Sequence, residues 1–123
     1  MTADYNQLSR VRTKNLCVAI IKCLSVLPYS DDVSVIRKQI YRSSTSVASN
    51  YRAVGRARSQ KEKFSKLCIV VEEADETQFW LEIIEELKYL DSVILEPLKI
   101  ECEEILKVMS SYKKKMSDQN NSL

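Results

Sequence analysis

Apolar side chains recur along this chain at steps of three and four residues, the spacing of helices that bury one face. Leu16, Ile20, Cys23, Leu24 and Leu27 mark a first helix over about residues 7–27, with Cys17, Ile21 and Leu24 as a second stripe beside them. Pro28 stops it, and Tyr29-Ser30-Asp31-Asp32 supplies a turn and an N-cap. A second helix, about residues 33–54, follows from Val33, Ile36, Ile40, Val47, Tyr51 and Val54. Its centre, Ser43-Ser44-Thr45-Ser46-Val47-Ala48-Ser49, is small enough for another helix to approach closely. Gly55 stands where a C-cap belongs. Ser59-Gln60-Lys61-Glu62 then reads as a capping box opening a third helix that runs to about Leu90. Its core face is Phe64, Leu67, Cys68, Val71, Ala74, Leu81 and Ile84, and Ile69, Trp80, Ile83 and Leu87 form a second stripe. The fourth helix has the cleanest repeat: Leu95, Leu98, Cys102, Ile105, Met109, Tyr112 and Met116 alternate steps of three and four, an a/d heptad. Pro97 fits that helix only in its first turn.

Four helices of similar length with short links predict an all-α, up-down four-helix bundle over residues 1–116, followed by a flexible polar tail over 117–123. The apolar arcs of helices one and three are wider than a lone bundle fills. Trp80, Ile83 and Leu87 are therefore expected at an interface between copies in a cyclic homo-oligomer.

Composition sharpens this picture mainly by exclusion. The chain has 123 residues, one domain's worth, with one glycine and two prolines. That is too few turn residues for a β-sandwich or a Rossmann domain. Histidine is absent, which removes histidine triads, imidazole general bases and most catalytic zinc sites. Cys17, Cys23, Cys68 and Cys102 form no C-x-x-C pair and fall on apolar faces, so they read as small buried hydrophobes of a cytoplasmic protein. No metal or cofactor is expected. Residues 1–10 are polar and unlike a signal peptide, and the apolar stretch 16–27 is interrupted by Lys22 and too short to cross a bilayer.

The net charge of +2 conceals a separation of sign. Residues 37–66 carry nine Lys/Arg and one acid, whereas 72–104 carry twelve acids and two lysines. The basic block, Arg37, Lys38, Arg42, Arg52, Arg56, Arg58, Lys61, Lys63 and Lys66, is a candidate surface for a polyanion. It also suits neutralisation within or between subunits. Tyr41 and Tyr51 are the local candidates for base stacking, and their scarcity points to backbone rather than sequence recognition.

The run Gln39-Ile40-Tyr41-Arg42-Ser43-Ser44-Thr45-Ser46, followed by Asn50-Tyr51-Arg52, resembles the second helix of the 23S rRNA-intervening sequence proteins. Ala57-Arg58-Ser59 with Phe64 and Lys66 is similar to that family's opening of helix three, and Glu72-Glu73-Ala74-Asp75-Glu76-Thr77 with Trp80-Leu81-Glu82 to its later part. The resemblance covers about residues 16–110. It implies a bacterial, cytoplasmic, non-catalytic oligomer that binds RNA. A related branch, the accessory variability determinants of diversity-generating retroelements, implies a homopentamer and partnership with a reverse transcriptase and nucleic acid.

Two other readings remain open. A protein-interaction scaffold could use the acidic stretch, including Glu101, Glu103 and Glu104, to dock a basic partner such as a reverse transcriptase. Alternatively, Glu72-Glu73-x-x-Glu76 resembles the carboxylate pattern of all-α nucleoside triphosphate pyrophosphohydrolases, with Glu101 and Glu104 as the second helix's magnesium ligands.

Overall fold

The computed structural model describes residues 3–121, in four helices: α1 (Ala3–Ser25), α2 (Asp31–Gly55), α3 (Gln60–Leu87) and α4 (Ser92–Asn121). Each packs antiparallel to the next, and α1 closes the ring by lying against α4. The fold is the expected up-down bundle. Its core takes Leu16, Ile20 and Leu24 from α1, Ile40, Val47, Tyr51 and Val54 from α2, and Leu67, Val70, Ala74, Leu81 and Ile84 from α3. From α4 come Leu95, Leu98, Cys102, Ile105, Met109 and Met116. The a/d repeat of α4 is thus buried throughout, Tyr112 excepted, which is half-buried.

The helix ends follow local chemistry. Ser30 Oγ accepts from the Val33 N–H at 3.1 Å, and Ser59 Oγ from the Glu62 N–H at 3.0 Å. Glu62 reaches back, not to its N-cap but one residue further, to the Arg58 N–H. Asp91 Oδ1 takes the Val93 N–H at 2.8 Å.

Helix α1 runs from Ala3 to Ser25 where about 7–27 was expected, and boundaries of the other three helices differ as well. Gly55 is the last residue of α2 with an ordinary negative φ, and Arg56 is the cap. The left-handed cap falls instead on Lys88, φ 58°, where the Tyr89 N–H bonds Ile84 O and the Lys88 N–H bonds Glu85 O. Because Asp91 starts α4 early, Pro97 lies in its second turn. The proline leaves Val93 O without its helical donor, which is tolerable because Val93 is exposed to water. Finally, α4 continues to Asn121, so residues 117–121 are helix where a polar tail was expected; 122 and 123 lie outside the described residues. This stretch lacks a glycine or proline to end the helix. Among the described residues no helix is long and apolar enough to cross a membrane.

Candidate nucleic-acid interface

Up-down topology brings the start of α1, the end of α2, the start of α3 and the end of α4 to one end of the bundle. Arg10 and Lys14, Arg52 and Arg56, Arg58, Lys61 and Lys63, and Lys113 to Lys115 therefore meet there. The opposite end holds Asp31, Asp32, Glu82, Glu85, Glu86, Asp91 and Glu96 interspersed with Lys22, Arg37, Lys38, Lys88 and Lys99. The basic excess thus concentrates at one end of the bundle, while the acids are spread along its middle and far end.

The nine basic residues expected at the interface take different places. The Arg37 guanidinium is half-buried and donates to Leu24 O at 3.0 Å and Leu27 O at 3.1 Å, so it closes the end of α1, where Leu24 O also accepts from the Leu27 N–H. Arg42 bridges α2 to α3, pairing with Glu76 and, at 3.0 Å, with Glu73. Lys38 is exposed on α2. Arg58 and Lys61 are exposed at the α2–α3 connection, and Lys66 is half-buried on α3. Lys63 lines a separate cleft against α4.

Arg52 and Arg56 instead line a groove of about 480 Å³ between α1 and α2. Facing them across it are Arg10 and Lys14, which lie outside the basic block that the sequence advertises. Val11, Cys17 and Ala48 supply its apolar lining, with Gln7, Thr45 and Ser49 beside them. None of the lining residues is acidic, and none of the four cations pairs with a carboxylate among the described residues. Arg10 and Lys14 had a legible signal, an i,i+4 basic pair one turn from an apolar face. What the chain could not reveal is that they face Arg52 and Arg56.

The aromatic candidates serve the fold. Tyr51 is buried, and its hydroxyl donates to Asn6 Oδ1 at 3.1 Å. Tyr41 packs on the core and donates to Ile21 O at 3.4 Å. With neither ring free to stack on a base, the groove offers cations, hydroxyls and amides, the chemistry of a phosphate backbone.

The carboxylates that suggested a metal are held apart. Glu73 and Glu76 face α2 and Arg42. Glu101 and Glu104 face α1, where Arg12 binds Glu101 and reaches Glu104 at 2.8 Å. That contact with Glu101 raises the Arg12 pKa above its ordinary range. Among the described residues no three potential ligands come close enough to hold a metal. Burial, with the charges of Asp75 and Glu101, pushes the Cys102 thiol up to about 12, and burial also raises Cys17. Both therefore stay protonated and poor ligands at neutral pH.

On α3, Trp80 packs against the chain's own core, its buried Nε1 without a hydrogen-bond partner among the described residues. Its neighbour Phe79 meets it edge-on, 5.0 Å between ring centres, and is 49% exposed. Phe79, half-buried Ile83 and exposed Leu87, at four-residue steps, form the outward apolar stripe. Periodicity had pointed to Trp80 in place of Phe79.

The family of 23S rRNA-intervening sequence proteins matches residues 9–111. The chain belongs to that family. A solved structure supports the assignment: a protein of unknown function from the S23 ribosomal protein family of Bacteroides thetaiotaomicron. It is 29% identical, covering 89% of this chain and 97% of its own, with a TM-score of 0.80. No curated protein matches the chain. This member is a bundle without strands among its described residues.

Proposed function

We propose that this intervening-sequence family member is a non-catalytic RNA-binding module that grips the RNA backbone at the basic end of its bundle. One observation carries the reading: Arg10, Lys14, Arg52 and Arg56 line one groove with no acid among its described walls. Outside the groove, Arg12 and Arg42 are each held by two carboxylates and Arg37 by backbone carbonyls, whereas these four cations share one concavity without a carboxylate partner among the described residues. A polyanion supplies the missing partner, and a family described by its link to ribosomal RNA makes RNA the choice. Assembly of copies through the outward stripe of α3 would repeat the groove around a ring and strengthen binding by avidity.

The test is fluorescence anisotropy with a labelled, structured ribosomal RNA fragment. Four phosphates neutralised per protomer predict an affinity loss on the order of a hundredfold between about 50 and about 200 mM salt. The double substitution Arg10→Glu with Arg52→Glu abolishes binding, whereas Arg42→Gln leaves it nearly intact. Absence of binding at the lower salt refutes the proposal.

A second reading has its own observation. The solvent face of α3 sets Phe79 among Glu72, Asp75, Glu82 and Glu86, all exposed. An aromatic ring within an acidic stripe suits a basic protein partner, such as a reverse transcriptase. Loss of that partner on Phe79→Ala, with RNA binding unchanged, would favour the scaffold.

A further inference from the structure

A second concavity lies at the same end of the molecule, between the start of α3 and the end of α4, with a volume of about 700 Å³. It shares no lining residue with the α1–α2 groove. Lys63 enters it from α3, and Lys107 and Lys115 from α4. None of its described lining residues is acidic. Lys63 and Lys115 have no carboxylate partner among the described residues, and Lys107 meets Glu103 at 3.3 Å in an exposed i,i+4 pair of little strength. The wall between the lysines is different in kind. Val108, Tyr112 and Met116 lie at four-residue steps on α4 and form one apolar stripe with an aromatic ring at its centre. Burial there raises the Tyr112 hydroxyl above its ordinary pKa, so the phenol stays neutral.

We propose that this cleft binds a nucleoside phosphate, with the phosphates held by Lys63, Lys107 and Lys115 and the base laid against Tyr112. The volume lies within the range of small-ligand pockets, which combine an apolar lining with a few convergent polar groups. A bare anion would leave the aromatic stripe unused, and an apolar ligand would leave the Lys63 and Lys115 ammonium groups without a counter-charge among the described residues. A nucleotide uses both. The same chemistry belongs to a free nucleotide and to the phosphorylated end of an RNA strand.

Calorimetric titration at low salt with ATP, inorganic tripolyphosphate and adenosine separates the two halves of the site. ATP binds; tripolyphosphate binds about tenfold more weakly, the equivalent of one base–aromatic stack. Lys63→Glu with Lys115→Glu lowers ATP affinity by about a hundredfold, one charged contact each. Tyr112→Phe retains ATP affinity, and Tyr112→Ala brings ATP down to the tripolyphosphate level. Arg10→Glu with Arg52→Glu leaves ATP affinity unchanged, so failure of the RNA groove and failure of this cleft are read separately. A short oligonucleotide that competes with ATP only when 5′-phosphorylated assigns the site to a strand end. ATP binding without such competition assigns it to a free nucleotide. The proposal is overturned if ATP does not bind, if tripolyphosphate binds as tightly as ATP, or if the lysine substitutions leave ATP affinity unchanged.

Discussion

Lys88 holds the left-handed conformation that an L-residue adopts at a cost, while the chain's single glycine sits in an ordinary helical one. The two positions are mismatched to their chemistry. Lys88→Gly removes the Cβ strain at the cap, and Gly55→Ala places a methyl where nothing lies within 4 Å. Each substitution raises stability by about 0.5–1 kcal/mol in urea denaturation. Cys102 makes a prediction in pH. Its folded-state pKa of about 12 exceeds its ordinary 9.0, so folding retains a proton that the unfolded chain releases. The stabilisation is whole below pH 9 and is lost as pH rises towards 12, by about 1.4 kcal/mol per unit. The stability of Cys102→Ala, measured between pH 8 and about 10, falls less steeply than that of the parent.

Between elements, two arginine clamps repeat one design. Arg12 of α1 grips Glu101 and Glu104 of α4, and Arg42 of α2 grips Glu73 and Glu76 of α3. Each pair of acids is spaced i,i+3, so both carboxylates reach one guanidinium from the neighbouring helix. The α2–α3 contact also depends on small polar residues. Ser43 and Thr77 are fully buried, their hydroxyl oxygens 2.9 Å apart, with Ile40 O and Glu73 O as further partners. Ser44 is buried as well, but its hydroxyl has no partner among the described residues. Ser43→Leu therefore overfills the seam and costs about 1–3 kcal/mol. Ser44→Ala removes an unsatisfied hydroxyl and gains about 0.5–1 kcal/mol. Equilibrium denaturation of the two variants, shifting in opposite directions, checks this assignment of roles.

At the scale of the whole molecule, the bundle has one strongly basic end and carries an apolar stripe on the outside of α3. Phe79 and Leu87 are each 49% exposed there, with Ile83 half-buried between them. A second copy covering this stripe removes that surface from water. If copies assemble through it as proposed, Phe79→Glu with Leu87→Glu yields monomers in analytical ultracentrifugation, with the helical circular dichroism retained. On the proposed RNA-binding reading, RNA affinity falls with it, because grooves no longer linked lose their avidity. Sedimentation of the parent chain as a monomer would refute the interface.

Helix number, order and inward faces were legible in the chain because helical periodicity is local: each apolar residue is related to neighbours three and four away. The buried heptad of α4 is the clearest instance. The caps at Ser30 and Ser59 were legible for the same reason, since a cap bonds only within its own turn. Partnership across helices was not legible. Nothing within residues 37–66 shows that Arg37 closes the end of α1, that Arg42 is neutralised from α3, or that Arg52 and Arg56 face Arg10 and Lys14. Nor does spacing tell Phe79 from Trp80, because adjacent residues differ by only about 100° around a helix and the packing angle decides which one turns inward. The sequence by itself determined the bundle and the separation of charge. The tertiary structure alone decided which charges are neutralised and which stay free, because that depends on distances between helices that local sequence does not encode.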